Sequence, residues 1–385
     1  MIKVLITGTF DLLHPGHINF IRQALKFGDF LVILVARDKN VVKSKGQTPY
    51  FNENKRLENL EKLNLADKII SGDLNDPYKV IREERPDVVA LGYDQQTFVS
   101  GLIDFRDNSY LHFKIERLEP FKEDICKGKS IRKAVEDKEA GFLLINKEES
   151  WTSHDVVAKL RSIIGIKQIG HTGTLDPFAT GLLICAIGQA TKLVGLFDLL
   201  PKTYEAAIRL GVESDTYDRT GVIAQSSKLK AQSLKLKIEE IMNSFVGKQK
   251  QLPPMFSAKK VGGKKLYELA RKGIEIERKP GEIEIYQIDE LGIMNNALPA
   301  GRQELRIRVA CSAGTYIRTL ANDIGQKLGT GAVLWELKRT AIGDFKISEA
   351  VQLNQLKLDN YSRYLIKPLA AINQLNESYA RSAWQ

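Results

Sequence analysis

The chain has 385 residues, of which 43% are hydrophobic and 27% charged. That is a globular composition, with too much length for one ordinary core and enough for two domains. No apolar run approaches the roughly 18–20 residues that cross a bilayer, so no membrane partner is expected. The opening Met1-Ile2-Lys3-Val4 enters a strand pattern at once and lacks a signal-peptide pattern. Three widely spaced cysteines (Cys126, Cys185, Cys311) make neither a disulfide framework nor a metal site, and a reducing cytoplasm fits best.

The formal charge of +10 is uneven. Residues 1–137 carry 22 Lys and Arg against 21 Asp and Glu, whereas 138–385 carry 35 against 26. The positive excess therefore lies in the second part, where it would attract a phosphate backbone. Charge alone leaves a nucleic-acid binder and an ordinary basic protein equally open.

In chain order, Lys3–Thr7, Phe30–Ala36 and Asp87–Leu91 are compact aliphatic or β-branched runs. Between them, Gly16–Phe27 and Asn52–Leu63 read as helices. Asn52 is placed as N-cap, with Lys55, Arg56 and Glu58 on the solvent face. Alternation of this kind predicts a Rossmann-like α/β domain with a parallel sheet over 1–138. Lys129–Glu139 reads as a polar helix, and Gly141–Ile145 starts a new strand. Over 139–370, strand alternation at Tyr204, Ala206, Ile208 and Leu210, and at Leu305, Ile307 and Val309, predicts an α+β domain. Its mixed sheet is expected to be mainly antiparallel. Helices are expected at Ser153–Ile164, Leu234–Phe245, Lys265–Lys272 and Tyr316–Leu328. Asn295–Arg302 reads as a loop, and 371–385 as a C-terminal tail.

The first chemical signal is Gly8-Thr9-Phe10-Asp11 followed by His14-Pro15-Gly16-His17, at a strand end and a helix start. Helix N-termini bind anions, and two imidazoles three residues apart can face one phosphate. A bare H-x-x-H could equally cap a helix or bind a stray metal. The whole string GTFDLLHPGH resembles the signature of the nucleotidyltransferase superfamily that includes glycerol-3-phosphate cytidylyltransferase and archaeal-type FAD synthetase. The likeness covers about 1–135. It implies that Thr9 and Phe10 hold nucleotide phosphates through their backbone, and that His14 and His17 stabilise the transferring phosphoryl group. It also implies that Asp94 contacts the nucleoside, while Lys45 and Arg132 neutralise phosphates. ATP or CTP with Mg²⁺ would be the nucleoside triphosphate partner. Leu91-Gly92-Tyr93-Asp94-Gln95 is similar to the FAD synthetase branch, which points to adenylyl transfer onto a flavin. The serine-rich lead-in to Ser130-Ile131-Arg132 is replaced by Lys127-Gly128-Lys129.

The second signal is Gly170-His171-Thr172-Gly173-Thr174-Leu175-Asp176-Pro177. An Asp-Pro in a Gly-rich loop is ordinarily a turn. The longer string GHTGTLDPFATGLL, however, resembles the active-site signature of TruB-type tRNA pseudouridine synthases. Thr152–Val157, Lys202-Thr203-Tyr204, Pro253–Ala258, Ser312–Leu320 and Leu337–Thr340 fit the same family in order, over about 141–370. The resemblance implies isomerisation of uridine in the T arm of tRNA, position 55, with no cofactor and no metal. An ionised carboxylate can act as nucleophile at the ribose C1′ or the base C6, and Asp176 is the candidate. Arg318 would be its ion-pair partner, and Tyr204 would stack on the flipped base. His171 would fill the place the base vacates, and Lys147 would contact the substrate. Lys248, Lys250, and a loop of Lys259-Lys260 and Lys264-Lys265 around Gly262-Gly263 would meet the RNA backbone.

The usual Asp-Lys-Pro-x-Gly appears here as Asn146-Lys147-Glu148-Glu149-Ser150. Only 40 residues follow Phe345, so no complete C-terminal PUA domain is expected. No protein partner is evident. Rival readings are a nucleotidyltransferase whose second part is vestigial, and a non-catalytic tRNA-folding chaperone.

Overall fold

The computed structural model describes residues 1–96, 99–226, 234–257, 260–261, 264–270, 273–274, 276–294 and 303–382. Lys259, Gly262 and Gly263 of the expected basic loop, the expected loop at 295–302 and the end of the expected Lys265–Lys272 helix lie outside these. Two compact units result: Met1–Ala140 joined by the segment from Lys367 onward, and Gly141–Ile366.

The first unit is a five-stranded sheet in the order β3-β2-β1-β4-β5. Its strands are β1 (Lys3–Gly8), β2 (Phe30–Val35), β3 (Lys68–Ser71), β4 (Val88–Leu91) and β5 (Lys114–Arg117). Every pairing is parallel. Helices α1 (Pro15–Ala24), α2 (Asp38–Lys45), α3 (Glu53–Glu61), α4 (Lys79–Glu84), α5 (Val99–Asn108) and α6 (Gly128–Glu136) connect or follow the strands. Strands covered on both faces lose alternation and become continuous apolar runs. Val4, Leu5 and Ile6 are all fully buried, as are Leu31 and Val32. Strand order reverses between β1 and β4, so the carboxyl ends of those two strands form the crevice where open α/β sheets take ligands.

Two expectations are corrected in this unit. Asn52 does cap α3, accepting from the Lys55 amide, but Arg56 is fully buried rather than on the solvent face. Its guanidinium donates to the carbonyls of Thr9, Phe51 and Ala36 and pairs with Asp38 Oδ1 at 2.7 Å. Nor are residues 371–385 a tail as far as they are described. Helix α11 (Pro368–Ser382) belongs to this unit and packs on α1. Asn376 donates to the Leu13 carbonyl at 2.9 Å, and Arg22 donates to the Ala380 carbonyl at 2.6 Å.

The second unit is built on a nine-stranded mixed sheet whose main path is β12-β15-β16-β9-β17-β8-β6. Those strands are β6 (Gly141–Lys147), β8 (Thr180–Ile187), β9 (Lys202–Leu210), β12 (Gly247–Gln251), β15 (Gly281–Met294), β16 (Glu304–Cys311) and β17 (Ala332–Ile342). Short strands β7 (Ile169–His171) and β18 (Phe345–Lys346) pair with β8 and β17. Hairpins β10 (Val212–Ser214) with β11 (Ile223–Gln225), and β13 (Lys260–Val261) with β14 (Lys264–Lys265), stand apart. Among the described pairings of the main sheet, only β17 with β8 is parallel. Helices α8 (Leu234–Asn243) and α10 (Ile317–Leu328) contribute Ile238, Met242, Leu320 and Ile324 to a core shared with Ile208, Leu305, Ile307 and Val309. Helix α9 (Leu266–Ala270) follows β14, and α7 (Ser153–Ile164) packs its apolar face on β6 and β8.

Strand β9 departs from simple alternation. Ala206, Ile208 and Leu210 are buried as expected, and so are Ala207 and Arg209. Arg209 is covered by the Trp335 ring, 3.2 Å from its guanidinium carbon. A central strand with its second face covered in this way does not show a period of two.

Candidate active site

The loop carrying Asp176 is held from both sides. Thr152 begins α7 with a reciprocal cap: its hydroxyl accepts from the Asp155 amide, and Asp155 accepts from the Thr152 amide. That fixes Ser153, whose buried hydroxyl accepts from the Leu175 amide at 2.9 Å and donates to the Leu175 carbonyl at 3.3 Å. On the other side of Asp176, the Pro177 carbonyl accepts from the Ser150 amide at 2.8 Å and from Lys147 Nζ at 3.2 Å.

Lys147 therefore corrects an expectation. Its side chain is fully buried, and Nζ also donates to the carbonyls of Trp151 at 2.6 Å and Glu148 at 2.9 Å. Three acceptors exhaust an ammonium group, so Lys147 shapes the loop instead of meeting a substrate. Burial lowers its pKa to about 8. Ser150, standing where the family pattern has glycine, adopts φ 69°. Although the proline and glycine of the family pattern are lost, the chain turns here with a serine in the left-handed region.

Asp176 and Arg318 form a two-point ion pair, with Nε to Oδ2 at 2.9 Å and Nη2 to Oδ1 at 3.2 Å. The arginine is buried on α10, while the Asp176 side chain keeps 34% exposure. A charged acceptor is thus reachable from solvent, with its counter-ion sheltered. Burial pushes the Asp176 carboxyl up from the ordinary aspartate range; Arg318 opposes the rise and Asp218 adds to it.

Asp218 was not singled out from sequence. Its Oδ2 lies 3.4 Å from Arg318 Nη1. Its Oδ1 accepts from the hydroxyls of Thr216 and Thr220 and from the Thr220 amide. Arg318 Nη2 also donates to the Phe256 carbonyl at 2.7 Å. A run of two aspartates and two threonines, Asp215–Thr220, was the available signal, but such a run ordinarily reads as a turn.

Tyr204 sits on β9, cross-strand from Val309 and Arg339. Its ring packs half-buried against the core cluster to which Leu175 and Phe178 belong. Burial raises its pKa, opposed by Arg339. His171 ends β7, and its Nδ1 is buried with no hydrogen-bond partner among the described residues. Burial and then Arg339 lower its pKa, leaving a neutral imidazole at pH 7.

In the first unit, His14 caps α1, its Nδ1 accepting from the Gly16 amide at 3.2 Å. The His14 and His17 rings lie 3.9 Å apart, centroid to centroid. Burial lowers His14 to about 4 and takes His17 well below its ordinary value, His17 also feeling His14 and Lys45. His17 Nδ1 is buried and unpartnered among the described residues. Phe10 turns the loop at φ 49° and buries its ring in the core, and the Thr9 carbonyl is taken by Arg56. Lys45 ends α2, exposed. Arg132 on α6 is occupied by the Thr48 carbonyl at 2.8 Å and by Glu136 at 2.8 Å. Asp94 lies on the exposed turn after β4. His14, His17 and Phe10 are thus brought together, with Lys45 in electrostatic range; no described contact joins Asp94 or Arg132 to them.

Three family models match the chain. A cytidylyltransferase-like model covers residues 5–127. The TruB family pseudouridylate synthase N-terminal domain covers 161–317, and the tRNA pseudouridylate synthase B C-terminal domain covers 318–372. A tRNA pseudouridine synthase B of Clostridium kluyveri is 46% identical over 59% of this chain and 75% of its own length. The chain belongs to the tRNA pseudouridine synthase B family. A second such synthase, from Geotalea uraniireducens, is 46% identical over 62% of this chain and 75% of that one. Among solved structures, a chain of an H/ACA RNP bound to a substrate RNA containing 2'-deoxyuridine matches at 27% identity with a TM-score of 0.43. The match covers 61% of each chain. What distinguishes this synthase from a chain of that family alone is its additional cytidylyltransferase-like domain. Among the described residues, no helix is long and apolar enough to cross a membrane.

Proposed function

We propose that the second unit converts uridine to pseudouridine in the T loop of tRNA, at position 55, with Asp176 as nucleophile. The observation that carries this reading is the pairing of a part-exposed Asp176 carboxylate with a buried Arg318 guanidinium. The reaction breaks the bond from C1′ to N1, forms one from C1′ to C5, and moves a proton from C5 to N1. No electron is gained or lost, so no redox cofactor is required. Attack by Asp176 on C1′ or C6 starts the exchange, and Arg318 keeps the attacking carboxylate ionised. Tyr204 would support the flipped uracil through its ring and help move the C5 proton. His171, neutral at the mouth of the loop, would occupy the vacated stacking place. Lys248 and Lys250 on β12 would contribute to holding the RNA backbone.

Incubation with unmodified tRNA and mapping of pseudouridine tests this directly. Modification by the parent, and its loss with retained tRNA binding in Asp176→Asn, is the expected result. Unmodified tRNA after incubation with the active-concentration parent would leave only a tRNA-folding role.

For the first unit we infer nucleotidyl transfer from ATP or CTP. The support is the pair of neutral imidazoles at the start of α1, one with a buried, unpartnered nitrogen. Such groups can donate to charge developing on a transferring phosphoryl group. Lys45 would supply positive charge nearby. Mg²⁺ would accompany the nucleotide on its phosphates. A panel of nucleotides with flavin mononucleotide or glycerol phosphate should show pyrophosphate release that His17→Ala abolishes. Release from no nucleotide would mark the domain as inactive.

A further inference from the structure

Arg339 is fully buried on β17, at a junction of three parts of the second unit. Its Nε donates to the Leu182 carbonyl of β8 at 2.8 Å, and its Nη2 to the Gly173 carbonyl at 2.8 Å. Gly173 lies three residues before Asp176, in the same loop. In the antiparallel register of β17 with β9, the partner of Arg339 is Tyr204, and the guanidinium charge opposes the rise that burial imposes on the tyrosine.

The backbone of Arg339 is as constrained as its side chain. Its register partner on β8 is Gly181. A Cβ on Gly181 would stand 2.3 Å from the Arg339 carbonyl oxygen, and the glycine has φ 105°. Only a residue without a side chain lets β8 approach that closely. A register shift separates Arg339 from Ala341 on β17. Irregularities of this kind re-aim a side chain out of the regular ladder. The result is one planar, multiply donating cation that spans a strand, a loop and a tyrosine. A lysine ammonium carries its donors on a single point and lacks the planar fork that sets Nε and Nη2 on the two carbonyls.

We propose that Arg339 is a positioning residue for the isomerisation, one guanidinium that ties the Asp176 loop to β8 and sets its charge beside Tyr204. The proposal rests on the reading of Asp176 and Tyr204 as the groups that act on the uridine. Arg339 itself bonds two backbone carbonyls and lies cross-strand from Tyr204, and acts through them.

The test compares full-length parent, Arg339→Lys and Arg339→Met. Three quantities are read: amide hydrogen exchange over 171–178, single-turnover pseudouridine formation alongside tRNA affinity, and ionisation of Tyr204. The last is the absorbance difference against Tyr204→Phe in each background. Arg339→Lys should bind tRNA like the parent, exchange faster over 171–178, and turn over about a hundredfold more slowly. In Arg339→Met, Tyr204 should ionise at higher pH than in the parent, because the nearby positive charge is gone. Parent-like loop exchange and rate in either folded variant overturn the proposal. So does a rate loss wholly accounted for by weaker tRNA binding. If the methionine variant does not fold, the lysine variant decides alone. If the parent itself modifies no tRNA, the functional reading fails, while loop exchange and tyrosine titration still decide whether Arg339 holds both parts.

Discussion

Asp218 Oδ2 lies 3.4 Å from Nη1 of Arg318, on the nitrogen that Asp176 leaves free. One buried cation is therefore shared by two carboxylates with different surroundings. Asp218 is buried and saturated by threonine hydroxyls and an amide, whereas Asp176 opens to solvent. Asp218 anchors the arginine, and Asp176 is left as the reactive end.

Replacing Asp218 by asparagine should thus cost both stability and rate. Removing one partner of a buried charge network typically costs about 3 kcal/mol. Displacement of Arg318 should slow the chemical step by about a hundredfold, with tRNA affinity little changed. Thermal unfolding and single-turnover kinetics check the two parts. An Asp218→Asn variant as stable and fast as the parent would remove Asp218 from the network.

The pH profile follows from the same geometry. Burial raises the Asp176 carboxyl above its ordinary value of 3.8, with Arg318 pulling it down. Activity that requires the carboxylate should therefore fall, as pH drops, earlier than an exposed aspartate would dictate. Arg318→Met removes the opposing charge, so whatever activity remains should have its acid limb at higher pH. Asp218→Asn removes a raising influence but also loosens Arg318, so its limb should stay at lower pH than that of Arg318→Met. Stability has the opposite dependence to that of an acid whose pKa is lowered on folding, because here burial outweighs the ion pair. The folded chain holds a proton that the unfolded chain has released, so Asp176 makes stability decline as pH rises through the window above 3.8. Rates and unfolding midpoints across that window read both effects.

Much of this architecture is written locally. The continuous Val4-Leu5-Ile6 run marks a doubly covered parallel strand, and Thr152 with Asp155 marks the start of α7 to the residue. The pairing of Asp176 with Arg318 spans 142 positions and was reachable through the family pattern alone. What stayed hidden depends on acceptors that have no letter in the sequence. Arg56 lies in a polar helical stretch, and its burial is dictated by the carbonyls of Thr9, Ala36 and Phe51. Lys147 is expected from the family pattern to contact the substrate, yet its three acceptors are backbone oxygens. In the same way, the polar stretch that became α11 gives no sign of Leu13, whose carbonyl Asn376 engages.

The turn before α7 offers a stabilising change. Ser150 holds φ 69°, a conformation that costs an L-residue about 1 kcal/mol or more. Glycine adopts it freely but loses more chain entropy on folding, which takes back about half of the gain. Ser150→Gly should therefore raise stability by about 0.5 kcal/mol, visible as a small rise in the unfolding midpoint in denaturant. The Ser150 amide that binds Pro177 is preserved, so pseudouridine formation should be unchanged. A lower midpoint would mean that the serine hydroxyl contributes more than the backbone costs.

His14 gives a prediction for the first unit that needs no knowledge of its substrate. In the fold its imidazole is held neutral, with a pKa near 4 against 6.5 when free, because burial strips it of solvent. Its Nδ1 accepts the Gly16 amide and could not do so if protonated. Stability from the neutral form is fully present above pH 6.5. As pH falls, the unfolded chain binds a proton that the folded chain refuses, and stability declines until about pH 4. The whole interval is worth about 3 kcal/mol. His14→Asn keeps an oxygen able to accept from the Gly16 amide and removes the titration. Between neutral and mildly acidic pH, the parent should therefore lose more stability than His14→Asn; His17, which His14 helps to lower, contributes less in the variant and so adds to the difference in the same direction. Equal losses would place the His14 ring in contact with water and remove the basis for treating it as a neutral donor at pH 7.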